Sequence, residues 1–492
     1  MTSHTTNRSL VLASVVLCMF MIAIEATIVA TAMPDIVARL GGFQLYSWVF
    51  AAFLLTQTAT TVLFGKLADL YGRRPILLIG ITIFLIGSVL CGLATSMYGL
   101  IAFRLMQGFG AGAMQPVAMT IVADLYTPEE RASIQGYLST VWGVSAVIGP
   151  LIGGFIVENW SWPWVFWLNI PIGIATVLML LRFLHEGVQR KKHTLDLLGA
   201  SVFAVGISSL LIALTELGNS KANPLVIWVS IGLFVLSIPV FFWQEQRVSE
   251  PMLELKLWRQ RVIASSNAAS LAAGMAMIGV TSFLAVYVQG VLGHSATVAG
   301  LTLTMMAVGW PIAAVVARKL YNRIGMRSTL RIGSALIVVG SVFFLLLPRV
   351  PSAYFAGTGS FILGFGMGFL IVTCILIVQG SVQWHQRGSA TASNVFARTL
   401  GNTLGAVILG TALNYGLHSY SKERPVTADD VRQLLDLPTG AFLPNRELIV
   451  SALGFGLHLA FWIVLLLAIA TFAISLTIPE RSLSELLGGA KT

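Results

Sequence analysis

Residues 65–74 read Gly-Lys-Leu-Ala-Asp-Leu-Tyr-Gly-Arg-Arg, and residues 318–327 read Arg-Lys-Leu-Tyr-Asn-Arg-Ile-Gly-Met-Arg. At an offset of 253 they share Lys-Leu, a glycine and a final arginine. A second match lies close to the first in register: Gly-Phe-Gly-Ala-Gly at 108–112 falls on Gly-Phe-Gly-Met-Gly at 364–368, while Arg131, Gly149 and Gly154 fall on Arg387, Gly405 and Gly410, all at an offset of 256. Each match is short; the nearly constant offset is what marks an internal duplication.

The chain between these anchors is apolar. Of 492 residues, 56% are hydrophobic and only 10% charged, against roughly 25% charged in soluble domains, which excludes a water-soluble protein. One spanning helix needs about 20 mainly apolar residues. Apolar runs near 10–32, 46–67, 76–94, 98–122, 133–157 and 164–183 form a first block. Two more, near 197–217 and 225–243, precede a polar segment, and a second block follows near 262–289, 297–319, 329–347, 354–380, 389–416 and 449–478. The pattern predicts an all-helical integral membrane protein of fourteen spans, two six-helix bundles related by a pseudo-twofold with two inserted helices. The boundaries are 1–185 for the first bundle, 186–257 for the linker, 258–480 for the second bundle and 481–492 for a cytoplasmic tail.

Charge sets the orientation. Thirty Lys and Arg stand against 20 Asp and Glu, a net of +10. With the N-terminus inside, 22 of the 30 fall on the inner side or at inner helix ends, seven fall outside, and one, Arg104, falls within a span. That bias predicts cytoplasmic termini, so the positive charge calls for no nucleic-acid partner. Cys18, Cys91 and Cys374 each lie inside an apolar run without metal-ligand spacing and read as packing residues. No motif implies a metal, a cofactor or a catalytic triad, and no phosphate-cradling glycine loop is present, which argues against an enzyme or an ATP-driven pump.

Among the acids, Glu25 alone lies well inside an apolar span, and an intramembrane acid marks a functional site by default. Counting residues from the outer helix ends puts it about 10 Å deep and Arg104 about 9 Å deep at the helical rise. Burial favours the neutral form of a carboxyl and a neighbouring arginine the charged form, so the pair is suited to taking up a proton on one side and releasing it on the other. Competition between a proton and a cationic solute at Glu25 would make the two exchange.

Arg104, Gln107, Gly108, Ala111 and Gln115 follow spacings of three and four and share one helix face. That polar stripe should face either protein, as helix packing, or a water-filled cavity, for which Gln57, Gln107, Gln115 and Met21 are the candidate substrate contacts. Gly143, Gly149, Pro150, Gly153 and Gly154 remove side chains from one helix and predict a close-packed gate. Trp160, Trp162, Trp164 and Trp167 read as an interfacial belt, Asp196 as a helix cap, and His458 as a histidine within a span that is either structural or a second proton carrier. Thr427, Asp430, Val431, Leu434 and Leu435, in the outer loop from about 417 to 448, read as a short amphipathic helix or an ordinary loop.

These residues resemble the fourteen-helix drug:proton antiporters of the major facilitator superfamily over nearly the entire chain. Gly65, Asp69, Gly72, Arg73 and Arg74 look like the superfamily's loop between helices 2 and 3, which implies a conformational latch. Arg104, Gln107, Gly108 and Gly110 resemble its helix 4 motif, which implies a part for the arginine in proton transfer. Gly143, Gly149, Pro150, Gly153 and Gly154 are similar to the helix 5 motif of antiporters, and Glu25 with Thr27, Ile28, Val29 and Pro34 resembles the fourteen-helix signature. The family pattern has aspartate in place of Glu25 and arginine in place of Pro163; within this chain the second-half counterpart of Asp69 is Asn322, which lacks the acid. The resemblance implies proton-coupled export of amphiphilic, cationic drugs by a monomer in the cell inner membrane, whose partners are a small-molecule substrate, protons and lipid. The alternatives are an exporter of an endogenous metabolite, siderophore or lipid, and a nutrient symporter.

Overall fold

Helix starts are written in local chemistry. Asn7, Ser96 and Ser295 each accept a hydrogen bond from the backbone N–H three residues on, and Asn223 accepts from Leu225 ahead of Pro224. Thr127 and Glu130 form a reciprocal capping box around Pro128. Such caps satisfy amides that have no partner within the helix.

The computed structural model describes residues 6–41, 45–186, 197–217, 223–248, 255–420 and 445–478, with 426, 430, 431 and 434 between the last two segments. The described residues are all-helical, without strands. In chain order the helices are α1 (Arg8–Leu40), α2 (Tyr46–Tyr71), α3 (Arg73–Gly92), α4 (Met97–Leu125), α5 (Pro128–Asn159), α6 (Trp164–Trp167), α7 (Asn169–Phe183), α8 (Leu197–Leu217), α9 (Pro224–Glu245), α10 (Leu255–Arg259), α11 (Arg261–Val286), α12 (Ala296–Leu346), α13 (Ala353–Gly380), α14 (Arg387–Tyr420) and α15 (Arg446–Leu476). A π-helical turn extends α11 over Tyr287–Val291. Ten spans, counted on described residues, are long and apolar enough to cross a bilayer. The stretches at 97–125, 128–159 and 387–420 are helical and long but are not among them, since polar residues dilute their hydropathy.

The duplication is visible contact by contact. Gly72 joins α2 to α3 at φ +98°, and Gly325, 253 residues on, kinks α12 at φ +80°; both adopt a left-handed backbone that glycine alone enters freely. A β-carbon added at Gly108 would stand 2.2 Å from the Phe53 carbonyl oxygen, at Gly110 2.5 Å from that of Gly80, and at Gly112 2.9 Å from that of Gln57. At Gly364, Gly366 and Gly368 the corresponding contacts are the carbonyls of Met306, Gly333 and Trp310, at 2.2, 2.6 and 2.5 Å. Every glycine is displaced by 256 and every neighbour by 253. α4 is thus wedged between α2 and α3 as α13 is wedged between the two arms of α12.

The two groups of helices, α1–α7 and α11–α15, meet where α5 packs on α12 and where α2 and α4 pack on α14. α8 pairs with α9 and lies against α2 and α14, so the inserted helices cover one seam between the groups. Val431 and Leu434 pack against the main hydrophobic core, which draws residues from both groups.

Candidate functional site

Glu25 and Arg104, from α1 and α4, are 1% and 2% exposed and form a buried ion pair in which Arg104 Nη1 donates to Glu25 Oε1. The other carboxylate oxygen accepts from Asn169 Nδ2 of α7 at 2.7 Å. Arg104 also donates from Nη1 to Gln107 Oε1 at 2.7 Å and from Nε to the Val49 carbonyl at 3.1 Å, with its guanidinium over the Phe53 ring at 4.3 Å. Gln107 Nε2 donates to Ser88 Oγ of α3 at 2.8 Å. Five helices thus enclose one carboxylate. Desolvating a lone charge costs several kcal/mol, and a buried pair is tolerated when its remaining lone pairs and protons are also met; here both carboxylate oxygens are.

This geometry places all four cavity candidates. Gln107 has no exposed surface and both ends of its amide are engaged, so it steadies Arg104. Met21 is likewise wholly buried in the core. Spacing found the shared face of α4, but that face meets α2 and α3 here. Gln115 is buried and Gln57 half-buried. A cation cannot reach Glu25 in this structure because its oxygens are shielded and taken.

The loop residues form a second constellation, at the end where α2 turns into α3. Asp69 Oδ1 accepts from Gly388 N at 2.8 Å and Asp69 Oδ2 from Ser389 N at 2.6 Å and Ser389 Oγ at 2.8 Å. The carboxylate therefore sits on the N-terminus of α14, satisfying orphan amides at the positive end of the helix dipole. Arg73 Nη2 donates to Asp69 Oδ1 at 3.0 Å and to the Trp384 carbonyl at 2.8 Å, and Arg73 Nε lies 3.0 Å from Asp124 Oδ2. Arg387 pairs with Asp124 at 3.2 Å. Gly65 fits against Ala392, and an added β-carbon would stand 2.2 Å from that of Ala392. Arg74 donates to the Leu181 carbonyl at 2.6 Å. Glu186, which sequence alone does not single out, accepts from the amides of Arg73 and Arg74, both at 2.9 Å, and caps α3. Arg318 donates to Ser133 Oγ at 3.2 Å and Gln379 Nε2 to the Met119 carbonyl at 3.5 Å, adding further bonds between the groups at this same end.

The glycines of α5 divide. Added β-carbons at Gly149 and Gly153 would stand 2.0 Å from Thr27 Oγ1 and 3.1 Å from the Ile28 carbonyl of α1, and at Gly143 3.3 Å from the Ala307 carbonyl of α12. Thr27 Oγ1 also donates to the Ser145 carbonyl at 3.1 Å. Gly154 leaves the set, since nothing lies within 4 Å of it, as with its counterpart Gly410. Pro150 lies within α5, but its side chain, like that of Asn322, falls outside the described residues, as do Asp196, Thr427 and Leu435. Trp160 and Trp164 are exposed, their rings tilted at 58° with centroids 5.2 Å apart, whereas Trp162 is buried. His458 Nδ1 is buried without a partner among the described residues.

One charge was misplaced by span counting. Arg398 stands eleven residues into α14, about 16 Å along its axis, so Arg104 is not the sole arginine within a span. Among the described residues Arg398 has no ion-pair or hydrogen-bond partner. Its signal in the sequence is a polar series at spacings of four, Asn394, Arg398 and Asn402.

A family model described as the Major Facilitator Superfamily matches residues 15–406. The chain is 36% identical to the Multidrug transporter protein MdtP of Bacillus subtilis over 83% of this chain and 76% of that one. It is 35% identical to Multidrug resistance protein 3 of the same organism over 83% of this chain and 80% of that one. The solved human organic anion transporter MFSD10 superposes with a TM-score of 0.64 at 15% identity, over 95% of this chain and 99% of that one, a likeness of fold alone.

Proposed function

The chain belongs to the Major Facilitator Superfamily and is a multi-pass membrane transporter, not an enzyme, and from that premise we propose that it is a proton-coupled antiporter that exports amphiphilic compounds from the cell. In this proposal all fourteen helical stretches cross the inner membrane, the two six-helix groups rock about their seams, both termini are cytoplasmic, and the latch end faces the cytoplasm. The bonds between the groups gather at that end, so the structure corresponds to a state closed to the cytoplasm. The relatives whose names specify multidrug transport and resistance support the substrate class.

One observation carries the proposal: a single carboxylate, dry and inside the membrane, held by an arginine and an amide. Protonating Glu25 would cancel its pairing with Arg104 and leave that cation to Gln107 and a carbonyl. The change reaches the other group by a short path. Glu25 is two residues from Thr27, which bonds α5 at Ser145 and seats on Gly149, and α5 meets α12 where Gly143 approaches Ala307. Coupling needs such an element with two arrangements, biased by the proton at one end and by the substrate at the other. The competition for Glu25 expected from sequence is then replaced by competition through α1 and α5.

The test is substrate-driven proton release in proteoliposomes. Glu25→Gln is expected to abolish it while leaving exchange of substrate across the membrane measurable. Proton release at the wild-type rate from Glu25→Gln would remove this group from the coupling.

A further inference from the structure

The charge inventory of the second group contains a cation that no group among the described residues answers. Arg398 is partly buried, its desolvation is not offset by any neighbouring charge among the described residues, and it keeps accessible surface. Its neighbours on α14 fix the direction. Phe396 and Leu400 pack toward α8, while an added β-carbon at Gly274 of α11 would stand 2.5 Å from Arg398's own carbonyl oxygen. The side chain therefore lies on the inner, α11 side of α14 and not on the α8 seam.

The surroundings on that face are polar. One turn toward the latch end, Asn394 Nδ2 is spent on Asn267 Oδ1 at 3.1 Å and Ser270 Oγ at 3.0 Å, and Asn267 Nδ2 on Ser393 Oγ at 2.8 Å. One turn the other way, Asn402 Oδ1 is turned toward Gly274 of α11 and is buried without a partner among the described residues. An uncompensated charge within a membrane span is costly, and its answering group is then sought in the substrate pathway. Arginine's planar fork matches a carboxylate, sulfonate or phosphate.

We infer that Arg398 binds an acidic oxyanion group of the transported solute, so that the exported compounds are amphiphilic acids or zwitterions and not simple cations. The inference deepens the exporter reading and rests on it for the word transported. It agrees with the first group, where Glu25 is neutralised by Arg104 and offers no free negative charge, leaving the unanswered positive charge of Arg398 to select the solute.

The probe is a xanthene dye supplied as its free carboxylate and as its methyl ester, each titrated into the purified full-length protein in detergent and followed by fluorescence anisotropy. The wild type is expected to bind the carboxylate at least about tenfold more tightly than the ester, the advantage of a charge-assisted pair over a neutral contact. Arg398→Gln is expected to bring that ratio near one, and Arg398→Lys to keep part of it. A wild-type ratio near one, no binding of either dye, or a preference that survives Arg398→Gln would overturn the assignment. The wild-type ratio needs no substitution, so a variant that fails to fold does not remove the test. Because binding is read without a proton gradient, loss of proton coupling in liposomes would strike the exporter proposal and leave this ratio standing.

Discussion

Glu25 shows how a single residue draws its environment from the whole first group. Its partners are 79 and 144 residues away, Arg104 on α4 and Asn169 on α7. Removing one member of a buried pair strands the other charge at about 3–5 kcal/mol, whereas removing both costs far less. Glu25→Gln and Arg104→Gln are therefore each expected to lower the midpoint of thermal unfolding in detergent, and the double substitution to recover most of the loss. Additive losses in this double-mutant cycle would show that the two side chains are not coupled. The depth of this pair was legible by counting residues from helix ends. Asn169 and Ser88 were not, because polar residues near a span end carry no mark of the helix they will meet. Arg398 was overlooked for a different reason: it lies inside the run near 389–416, yet the tally by side grouped it with the inner-side charges.

At the scale of the element, α5 carries the argument. Its glycines were legible as a set from composition alone, but only contact geometry separates those that admit another helix from those that do not. Gly149 lies against Thr27, and Gly154 lies against nothing. Gly149→Ala is expected to cost about 1–3 kcal/mol, as overpacking does, and to slow transport by forcing α1 away from α5. Gly154→Ala should leave both folding and transport close to wild type. The comparison is read by thermal unfolding and by dye efflux from cells, and equal effects at the two positions would show that the α1–α5 contact is immaterial. α12 gives the converse lesson. Its two arms, read as separate spans near 297–319 and 329–347, are two spans here as well, Val298–Tyr321 and Arg323–Leu346, and the chain turns between them at Gly325. Its equivalence to Gly72 was already contained in the 253-residue offset.

For the molecule as a whole, one carboxylate does what two would do in a symmetric design. Asp69 takes two backbone amides and a hydroxyl from the start of α14, and the position 253 residues on is Asn322, which lacks the charge. The latch is therefore asymmetric, concentrated where α2 and α4 meet α14, while the α5–α12 seam carries the bond from Arg318 to Ser133 at that end. Hydrogen bonds to a charged group contribute about 1.5–3 kcal/mol each, and placement at a helix N-terminus adds about 0.3–1. Asp69→Asn keeps one acceptor oxygen and loses the charge, so a net loss of about 2 kcal/mol is expected, or roughly a thirtyfold shift toward the unlatched arrangement. The distance between spin labels on cysteines placed at Ser133 and Arg318 reads that shift directly, and the native Cys18, Cys91 and Cys374 are all buried, which limits background labelling. In the wild type a short distance should dominate; in Asp69→Asn a longer population should appear and become the major one. An unchanged distribution would mean that the halves are held by the apolar seams alone, with the α14 terminus satisfied by water once the carboxylate is gone.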